Sequence, residues 1–209
     1  MAIARKKEIN LGQHFLHSIF DDNLFSCDIL SVNRYFICPI EKINQKNMIA
    51  LDCRAYYHIQ KNQIESINDF LIDSYGLSVG HFISVTDELH FESGFNEIIK
   101  KFRLSIIQSW IEQLHHSLDC VWKHLRNRGP ALQKIGQQSV VQISIGNVLS
   151  HLRAAEVACN NDNEYQLALN ECQAATELLA RLQGGRAFLS EGAIELTVVF
   201  QYFRKIYFS

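Results

Sequence analysis

The spacing of apolar residues changes near Ser93–Gly94, and this change constrains the fold more than any other feature of the sequence. Before it, apolar runs are short, rich in β-branched and aromatic residues, and separated by Asp, Asn, Gly and Pro39. After it, apolar residues recur every three or four positions. Strands alternate with a period of two and helices with a period of 3.6. The pattern therefore predicts a small, mostly β region at 1–92 and a helical region at 93–209.

Four runs in the first region are typical of strands because they combine β-branched and aromatic residues between turn-forming residues. They occupy residues 29–32, 34–38, 47–51 and 81–85. Residues 63–67 fit a strand and a loop equally well. We expect these strands to form a sheet or part of a β-barrel.

Four amphipathic helices joined by short turns are predicted for the second region, and such an arrangement is an up-down four-helix bundle. The fold class is then α+β, mainly α. The first helix ends at Gly129–Pro130 and the third at Gly184–Gly185, because glycine and proline terminate helices. The positions predicted to face inward are Ile99, Phe102, Ile106, Trp110, Leu114, Leu118, Val121 and Leu125 in helix one; Val141, Ile145, Val148, Leu152 and Ala155 in helix two; Leu167, Cys172, Ala175, Leu178 and Leu182 in helix three; and Ile194, Val198, Phe203 and Ile206 in helix four.

The composition excludes several kinds of partner. A formal net charge of -2 gives no reason to expect a nucleic acid or an anionic membrane surface. No apolar run reaches the ~20 residues that a membrane span requires. Six cysteines without a CxxC pair favour reduced thiols and a cytoplasmic location, and the first residues do not predict a signal peptide.

Two stretches of the helical region carry a family resemblance. Residues 183–191 read QGGRAFLSE, and the last helix ends in Ile206, Tyr207 and Phe208. They resemble the end of the acyl-CoA dehydrogenase family, in which a Leu-Gly-Gly-x-Gly-Phe turn opens a helix that leads to Ile-Tyr-Glu-Gly. Residues 103–128 are similar to the family's Arg-x-Gly-Ile-Ala-Ala to Glu-Asn-Arg stretch. The resemblance implies the central and C-terminal domains of a flavin enzyme, without a counterpart of the family's N-terminal helical domain.

FAD is the cofactor that the resemblance implies. Ungapped spacing aligns five positions with residues that contact FAD in the family. They are Arg128, Gln142, Arg181, Gly184 and Gly185. Arg181 stands where the family usually has glutamine. Ala131, Leu132 and Ala187 replace a phenylalanine and two glycines of the family pattern, which weakens the expected site.

The catalytic base is missing at both positions that the resemblance implies. Dehydrogenation of an acyl thioester removes an α-proton, and a carboxylate must lie within hydrogen-bonding reach of that carbon. Phe208 occupies the usual glutamate position, and Phe102 occupies the alternative position on the first helix, beside Arg103. Phenylalanine cannot accept a proton, and Glu97 lies more than a turn away. We therefore assign no catalytic residue.

Three functions remain open at this point. The first is a degenerate, non-catalytic subunit that forms a homo-oligomer, such as a dimer, or a heteromer with a full-length homologue. The second is an active FAD-dependent oxidoreductase of acyl-CoA or fatty-acid metabolism with an unusual base. The third is a flavin-free oligomerising scaffold. Ile107, Ile111 and Phe200 are predicted to be exposed and to suit an interface.

Other chemistry-bearing side chains are expected to be structural. Trp110 and Trp122 are predicted to be core residues. Cys120 with the nearby His124 has the spacing of a nucleophile and base on a helix, but a buried cysteine is the simpler interpretation. The adjacent histidines 115 and 116 point to different sides of a helix. With His151 they do not match the spacing of a metal site, so we expect no metal.

Overall fold

The fold is seen in a computed structural model that describes residues 19–20, 27–52, 55–91, 95–129, 134–161, 164–188 and 193–209. A sheet precedes four long helices, so the protein is α+β and mainly α, as predicted. The expectations for the start of the chain and for Ala131 and Leu132 concern residues outside these ranges. No helix in the described ranges is both long and apolar enough to cross a membrane.

The sheet has seven strands in the order β5-β6-β2-β1-β3-β4-β7. β1 and β3 are parallel, and the other neighbouring strands are antiparallel. The strands are β1 Ile29–Val32, β2 Tyr35–Pro39, β3 Asn47–Asp52, β4 Ala55–Gln60, β5 Ile64–Ile67, β6 Leu77–Phe82 and β7 Thr86–Phe91, with the short helices α1 Ile40–Ile43 and α2 Phe70–Ser74 between them.

Three of the predicted strands are confirmed, and the undecided run proves to be β5. The prediction of a strand over 81–85 was wrong, because that strand begins at Leu77 and ends at Phe82. The strand lies earlier in the sequence because its apolar residues must face the core. Leu77 and Val79 are buried there, whereas Ile83 is 57% exposed. No strand was predicted at the position of β4.

A tight turn joins β1 to β2. Asn33 and Arg34 both have positive φ angles, of 52° and 70°. Two consecutive residues in the left-handed region are what a two-residue hairpin of the I′ type requires. The carboxylate of Asp52 accepts hydrogen bonds from the backbone nitrogen of Arg34, at 3.3 and 3.2 Å. This contact ties the hairpin to the end of β3.

The helical region is an up-down bundle of four helices. Short connections join consecutive helices, and side-chain pairs link each helix to the next. For the last two helices, residue numbers fall in one as they rise in the other, as antiparallel helices require. The helices are α3 Phe95–Asn127, α4 Ser139–Cys159, α5 Tyr165–Gln183 and α6 Ala193–Tyr207. The linking pairs are His115 with Glu156, His151 with Glu171, Gln173 with Gln201, and Asn170 with Arg204.

The predicted apolar stripe of α3 is confirmed at all eight positions, each of which is buried. The helix ends as predicted, and Gly129 follows it with a φ of 104°. A single buried cluster contains residues of β1, β2, β3 and β6 together with residues of all four long helices. The sheet and the bundle therefore share one core, and the division at residue 92 stays a prediction.

The prediction that Ile107, Ile111 and Phe200 form an exposed interface was wrong. Ile107 is 0% exposed, Ile111 6% and Phe200 1%. The ring of Phe200 stacks on Trp110, with 4.8 Å between the ring centroids and 2° between the planes. These residues fill the bundle core because α6 packs its apolar face against α3.

Two positions predicted to face inward are instead exposed. Leu167 is 46% and Val198 40% exposed. Alanines and a cysteine occupy the buried face of α5 beside Leu169 and Leu179. Small residues on this face allow α4 and α5 to approach closely. A bulky leucine would not fit between two helices at such close approach, and Leu167 lies on the solvent side of α5 instead.

Candidate functional site

The two positions that the resemblance assigns to a catalytic base lie beside the same arginine. Phe102 and Arg103 are neighbours on α3, while Phe208 follows the last residue of α6. The ring of Phe102 meets the ring of Tyr207 edge-on at 4.8 Å. The guanidinium carbon of Arg103 lies 5.6 Å from the centroid of the Phe208 ring. Residues about a hundred positions apart in the sequence therefore form one cluster.

Arg103 is the one cation in this cluster of Phe102, Tyr165, Tyr207 and Phe208. Its Nε donates a hydrogen bond to the backbone carbonyl of Tyr207. Burial lowers the pKa of the Arg103 guanidinium, and Tyr165 acts in the opposite direction. Tyr165 also contacts Phe208 edge-on, with 6.4 Å between the ring centroids. Neither a phenyl ring nor a guanidinium can take a proton from a substrate carbon, so neither of the two positions that the resemblance implies supplies a carboxylate base.

Glu97, the substitute considered for the base, lies in the first turn of α3 and is exposed. It precedes Arg103 by six residues, which is a rotation of about 240° around the helix axis. The carboxylate therefore leaves the helix on a different face from the Arg103 side chain.

The first group of candidate cofactor residues surrounds the turn from α3 to α4. Arg128 is exposed, and its carbonyl accepts a hydrogen bond from the backbone nitrogen of Ile135 at 3.0 Å. Gln142 lies in the first turn of α4 and is exposed as well. Gly136 packs directly on α3, because a Cβ at this position would lie 3.2 Å from the Arg126 backbone. The connection thus holds Arg128 and Gln142 at the same end of the bundle.

The second group lies at the end of α5. Gly184 caps the helix with a φ of 57°, and its backbone nitrogen donates to the carbonyls of Ala180 and Arg181. A Cβ on Gly184 or Gly185 would meet no atom within 4 Å. Arg181 and both glycines are exposed. The turn therefore offers an open backbone surface with a cation beside it.

The bundle topology separates these candidates from the Arg103 cluster. In an up-down bundle the end of α3, the start of α4 and the end of α5 share one end, which holds all five candidate cofactor residues. Arg103 is near the start of α3, and Phe208 follows the end of α6, so they lie at the opposite end. Arg103 and Arg128 are 25 helical residues apart, or about 37 Å along the axis. One chain thus cannot bring both groups to one reaction centre.

A groove of about 570 Å³ lies between α3 and α4. Its lining is mostly apolar, from Leu118, Trp122, Ile145 and Leu149, with polar groups at its rim. The prediction that Trp122 is a core residue was wrong, since it is partly exposed in this groove; Trp110 is in the core, with 1% exposure.

The histidines of the bundle contact single acidic or thiol side chains, and Glu156 also contacts Arg153 at 2.8 Å. His115 contacts Glu156 at 2.9 Å, whereas His116 contacts the sulfur of Cys120 at 3.6 Å, so the two adjacent rings do point to different sides. The prediction that Cys120 is buried was wrong, because it lies on the solvent face of α3. Within the described ranges no group of three or more His, Cys, Asp or Glu side chains is placed to hold a metal ion.

Sequence reasoning missed one functional group of this site, the hydroxyl of Tyr207. The side chain is 0% exposed, and its hydroxyl reaches the backbones of Leu30 and Ile37 in the sheet. The residue was noted only as part of the Ile206–Tyr207 motif. Its place four residues after Phe203, on the buried stripe of α6, was the signal that could have found it.

Comparisons with known proteins give no match at the sequence level. No protein-family model matches the chain. No curated protein matches it either.

Solved structures do match. A steroid ACAD, Tcur3481-Tcur3483, superposes with a TM-score of 0.61 at 8% identity, over 85% of this chain and 57% of that one. A glutaryl-CoA dehydrogenase from Mycobacterium smegmatis in complex with FADH2 gives 0.59 at 10% identity, over 84% and 56%. The ChsE4-ChsE5 complex from Mycobacterium tuberculosis gives 0.56 at 7% identity, over 85% and 58%.

The present chain therefore spans a little over half the length of these proteins. The shared part contains both the sheet and the bundle, because the superposition covers most of the chain. The fold of this chain is that of the acyl-CoA dehydrogenases.

Proposed function

We propose that the chain is a non-catalytic subunit of acyl-CoA dehydrogenase type, which completes a flavin site of a neighbouring subunit. The separation of about 37 Å between Arg103 and Arg128 along α3 carries this proposal. On this proposal the bundle end that contains Arg128 faces the cofactor, and the end that contains Arg103 faces the acyl group. Because these two ends are so far apart, the subunit contributes to two different sites. Each site is then built from two chains, either two copies of this one or this chain and a full-length homologue.

The exposed end of the bundle fits the diphosphate part of FAD. The guanidinium groups of Arg128 and Arg181 are exposed and suit phosphate oxygens, to which arginine donates two hydrogen bonds at once. The open space at Gly184 and Gly185 lets a ligand approach the backbone closely. Gln142 adds an amide at the same end. When bound, FAD supplies the hydride acceptor of a dehydrogenation.

The opposite end of the bundle supports the non-catalytic part of the proposal. Arg103 is held by the Tyr207 carbonyl and stacks on Phe208, so aromatic rings and a cation occupy the place where a carboxylate is needed. An acyl thioester at this place would keep its α-proton. Turnover, on this proposal, belongs to the neighbouring subunit. The ChsE4-ChsE5 complex, which contains a chain of similar fold, is a structural parallel for association with a different chain.

The experiment is a mixing test with flavin absorption as its readout. The purified chain is incubated with FAD, alone and with a full-length homologue, and each sample is gel-filtered. We expect a stable complex that retains flavin, and we expect the variant Arg128→Ala to retain several-fold less. Arg153→Ala, which removes an exposed arginine of α4 from the part of the helix nearer the opposite end of the bundle, is the matched control. A sample that forms no complex and takes up no flavin would overturn the proposal and favour a flavin-free scaffold.

A further inference from the structure

The guanidinium of Arg103 is half-buried and has no counterion among the residues that the structure describes. Its Nε donates a hydrogen bond to the Tyr207 carbonyl, and its central carbon lies over the ring of Phe208. None of the ion pairs in the described ranges includes Arg103. An arginine side chain keeps its charge in proteins, and a charge that is withdrawn from water without a partner costs free energy. An anion from outside the chain would offset that cost.

The unused donors of Arg103 have the geometry that a carboxylate needs. A guanidinium carries five N–H groups, and in the described part of the chain only the one on Nε has an acceptor. The other four belong to the two terminal nitrogens and lie in the plane of the group. Two of them can donate parallel hydrogen bonds to the two oxygens of one carboxylate. A neutral hydroxyl or amide could accept a hydrogen bond here but would leave the charge uncompensated.

The helix ends around Arg103 do not neutralise its charge. α6 ends at Tyr207, so the negative pole of that helix, about −0.5 of an elementary charge, lies beside the guanidinium. α5 begins at Tyr165 with a positive pole of about the same size, and no side chain caps it. Glu164, which precedes it, is exposed and accepts a hydrogen bond from Asn161 instead. Because the two poles offset each other, the unit charge of Arg103 remains available to an anion.

The aromatic rings beside the guanidinium add an apolar surface. Tyr165 and Phe208 are partly exposed and meet edge-on, whereas Phe102 and Tyr207 are buried. A hydrocarbon chain that packs on the two exposed rings is removed from water while its carboxylate reaches Arg103. The combination of one cation with aromatic rings therefore fits an acid with an apolar chain better than a bare inorganic anion.

We infer that Arg103, Tyr165 and Phe208 form a binding site for the free carboxylate of a small acid with an apolar chain. The carbonyl of an acyl thioester has no negative charge, so the site prefers the free acid. This inference goes beyond the subunit role proposed above, because binding needs neither flavin nor a second chain. For a ligand of about eight non-hydrogen atoms we expect a Kd on the order of 1–10 mM.

Hexanoate is the probe, and two-dimensional NMR of the backbone amides of Tyr165 and Phe208 follows its binding. The titration uses the whole chain, without flavin or a homologue, at constant ionic strength. We expect the two signals to shift and to saturate with hexanoate. They should shift much less with 1-hexanol, which has the same chain length but no charge. A wild-type chain that responds equally to both compounds, or to neither, would overturn the inference.

Two substitutions test the role of the guanidinium. Arg103→Lys keeps the positive charge but loses the pair of terminal nitrogens, and its Kd should rise at least several-fold. Phe208→Glu keeps Arg103 and supplies a carboxylate from the chain itself, so its Kd should be at least about tenfold above that of the uncharged variant Phe208→Gln. This comparison decides the question even if Arg103→Lys does not fold. Equal affinities of Phe208→Glu and Phe208→Gln would contradict the assignment.

Lys205→Ala is the matched control. It removes an exposed cation from the last turn of α6 and should leave the Kd unchanged. A loss of binding in this variant would contradict the inference, because general positive charge and not the guanidinium of Arg103 would then attract the acid. A chain that binds hexanoate but takes up no flavin would retain the carboxylate site and lose the subunit role, and the reverse result would retain the role and lose the site.

Discussion

The hydroxyl of Tyr207 accepts a hydrogen bond of 3.0 Å from the backbone nitrogen of Ile37, and so inserts the end of the last helix into the sheet. It donates to the carbonyl of Leu30 at 2.9 Å. The β1–β2 ladder pairs Ser31 with Phe36, and Leu30 opposite Ile37 would be its next position. The phenol therefore replaces a backbone hydrogen bond of the ladder and connects the bundle to the sheet.

Removing this hydroxyl should destabilise the protein. Tyr207→Phe leaves a buried N–H and a buried carbonyl without this partner, and we expect the free energy of unfolding to fall by about 1–3 kcal/mol. Urea denaturation followed by circular dichroism measures it. Tyr202→Phe is the matched control on the same helix. Its hydroxyl bonds Asp69 at a half-exposed place where water can substitute, so its loss should be smaller. Equal effects of the two variants would contradict the bridging role.

Stability should decline at alkaline pH because buried thiols resist ionisation. Burial raises the pKa of Cys27 to about 12, and it raises the pKa of Cys172 above the ordinary range as well. A raised folded-state pKa contributes stability that is complete below the unfolded pKa of about 8.5. That contribution is lost as the pH rises towards the folded-state pKa, because the unfolded chain releases its protons first.

The variant Cys172→Ala tests this pH dependence. Above pH ~9 each buried thiol contributes a slope of up to about 1.4 kcal/mol per pH unit. We expect the variant to lose about that much of the slope, whatever its stability at neutral pH. Cys120→Ala, which removes an exposed thiol, should leave the slope unchanged. Parallel pH profiles for the wild type and Cys172→Ala would refute the assignment.

Phe200 should behave as a core residue and not as part of an interface. Phe200→Ala removes the ring that stacks on Trp110, and large-to-small changes of buried phenylalanine cost about 3–5 kcal/mol. The loss should not depend on protein concentration, because the contact is made within one chain. Val198→Ala, on the exposed side of the same helix, should cost less than about 1 kcal/mol. A loss for Phe200→Ala that diminishes at high protein concentration would restore the interface interpretation.

The helices were predictable from the sequence because each carries a long periodic signal. The α3 stripe spans Ile99 to Leu125, and eight positions agree on one face. It was harder to predict which side of a helix is buried where apolar residues occur on more than one side. Ile107 and Ile111 adjoin the stripe, and they are buried only because the helix is packed inside the folded protein.

The strands were less predictable because their partners are remote in the sequence. β4 carries Tyr56, Tyr57 and His58, whose polar atoms hide the alternation that marks a strand. β2 lies between β1 and β6, and β6 begins almost forty residues after β2 ends. Gly80 is needed at this pairing, since a Cβ there would lie 2.8 Å from Cζ of Phe36. Such a steric requirement becomes visible only when the register is known.

The candidate site was predictable residue by residue but not in its arrangement. The motif alignment selected Phe102 and Phe208, and the fold brings both beside Arg103. The distance that separates them from Arg128 follows from the length of α3 and the direction of α6. No local spacing in the sequence contains that information, because it depends on how the helices are connected.

The ring of Phe208 provides a last prediction, since it lies against the guanidinium of Arg103. Phe208→Glu should fold, because the position is half-buried and an opposite charge is within reach. The arginine should lower the pKa of the new carboxyl group below the ~4.3 of free glutamate. A lowered folded-state pKa adds stability above that value, and the gain disappears as the pH falls through the folded-state pKa.

The measurement is the free energy of unfolding between pH 3 and 7, for Phe208→Glu and for the uncharged control Phe208→Gln. The difference between the two should rise with pH by up to about 1 kcal/mol, the usual size for a partly exposed ion pair. The rise should vanish when Arg103→Ala is added to both. A carboxylate held in this ion pair is a poor proton acceptor, so acyl-CoA should still fail to bleach added FAD. Bleaching by Phe208→Glu but not by Phe208→Gln would show instead that the base was the one missing part, and would replace the subunit role with that of an enzyme.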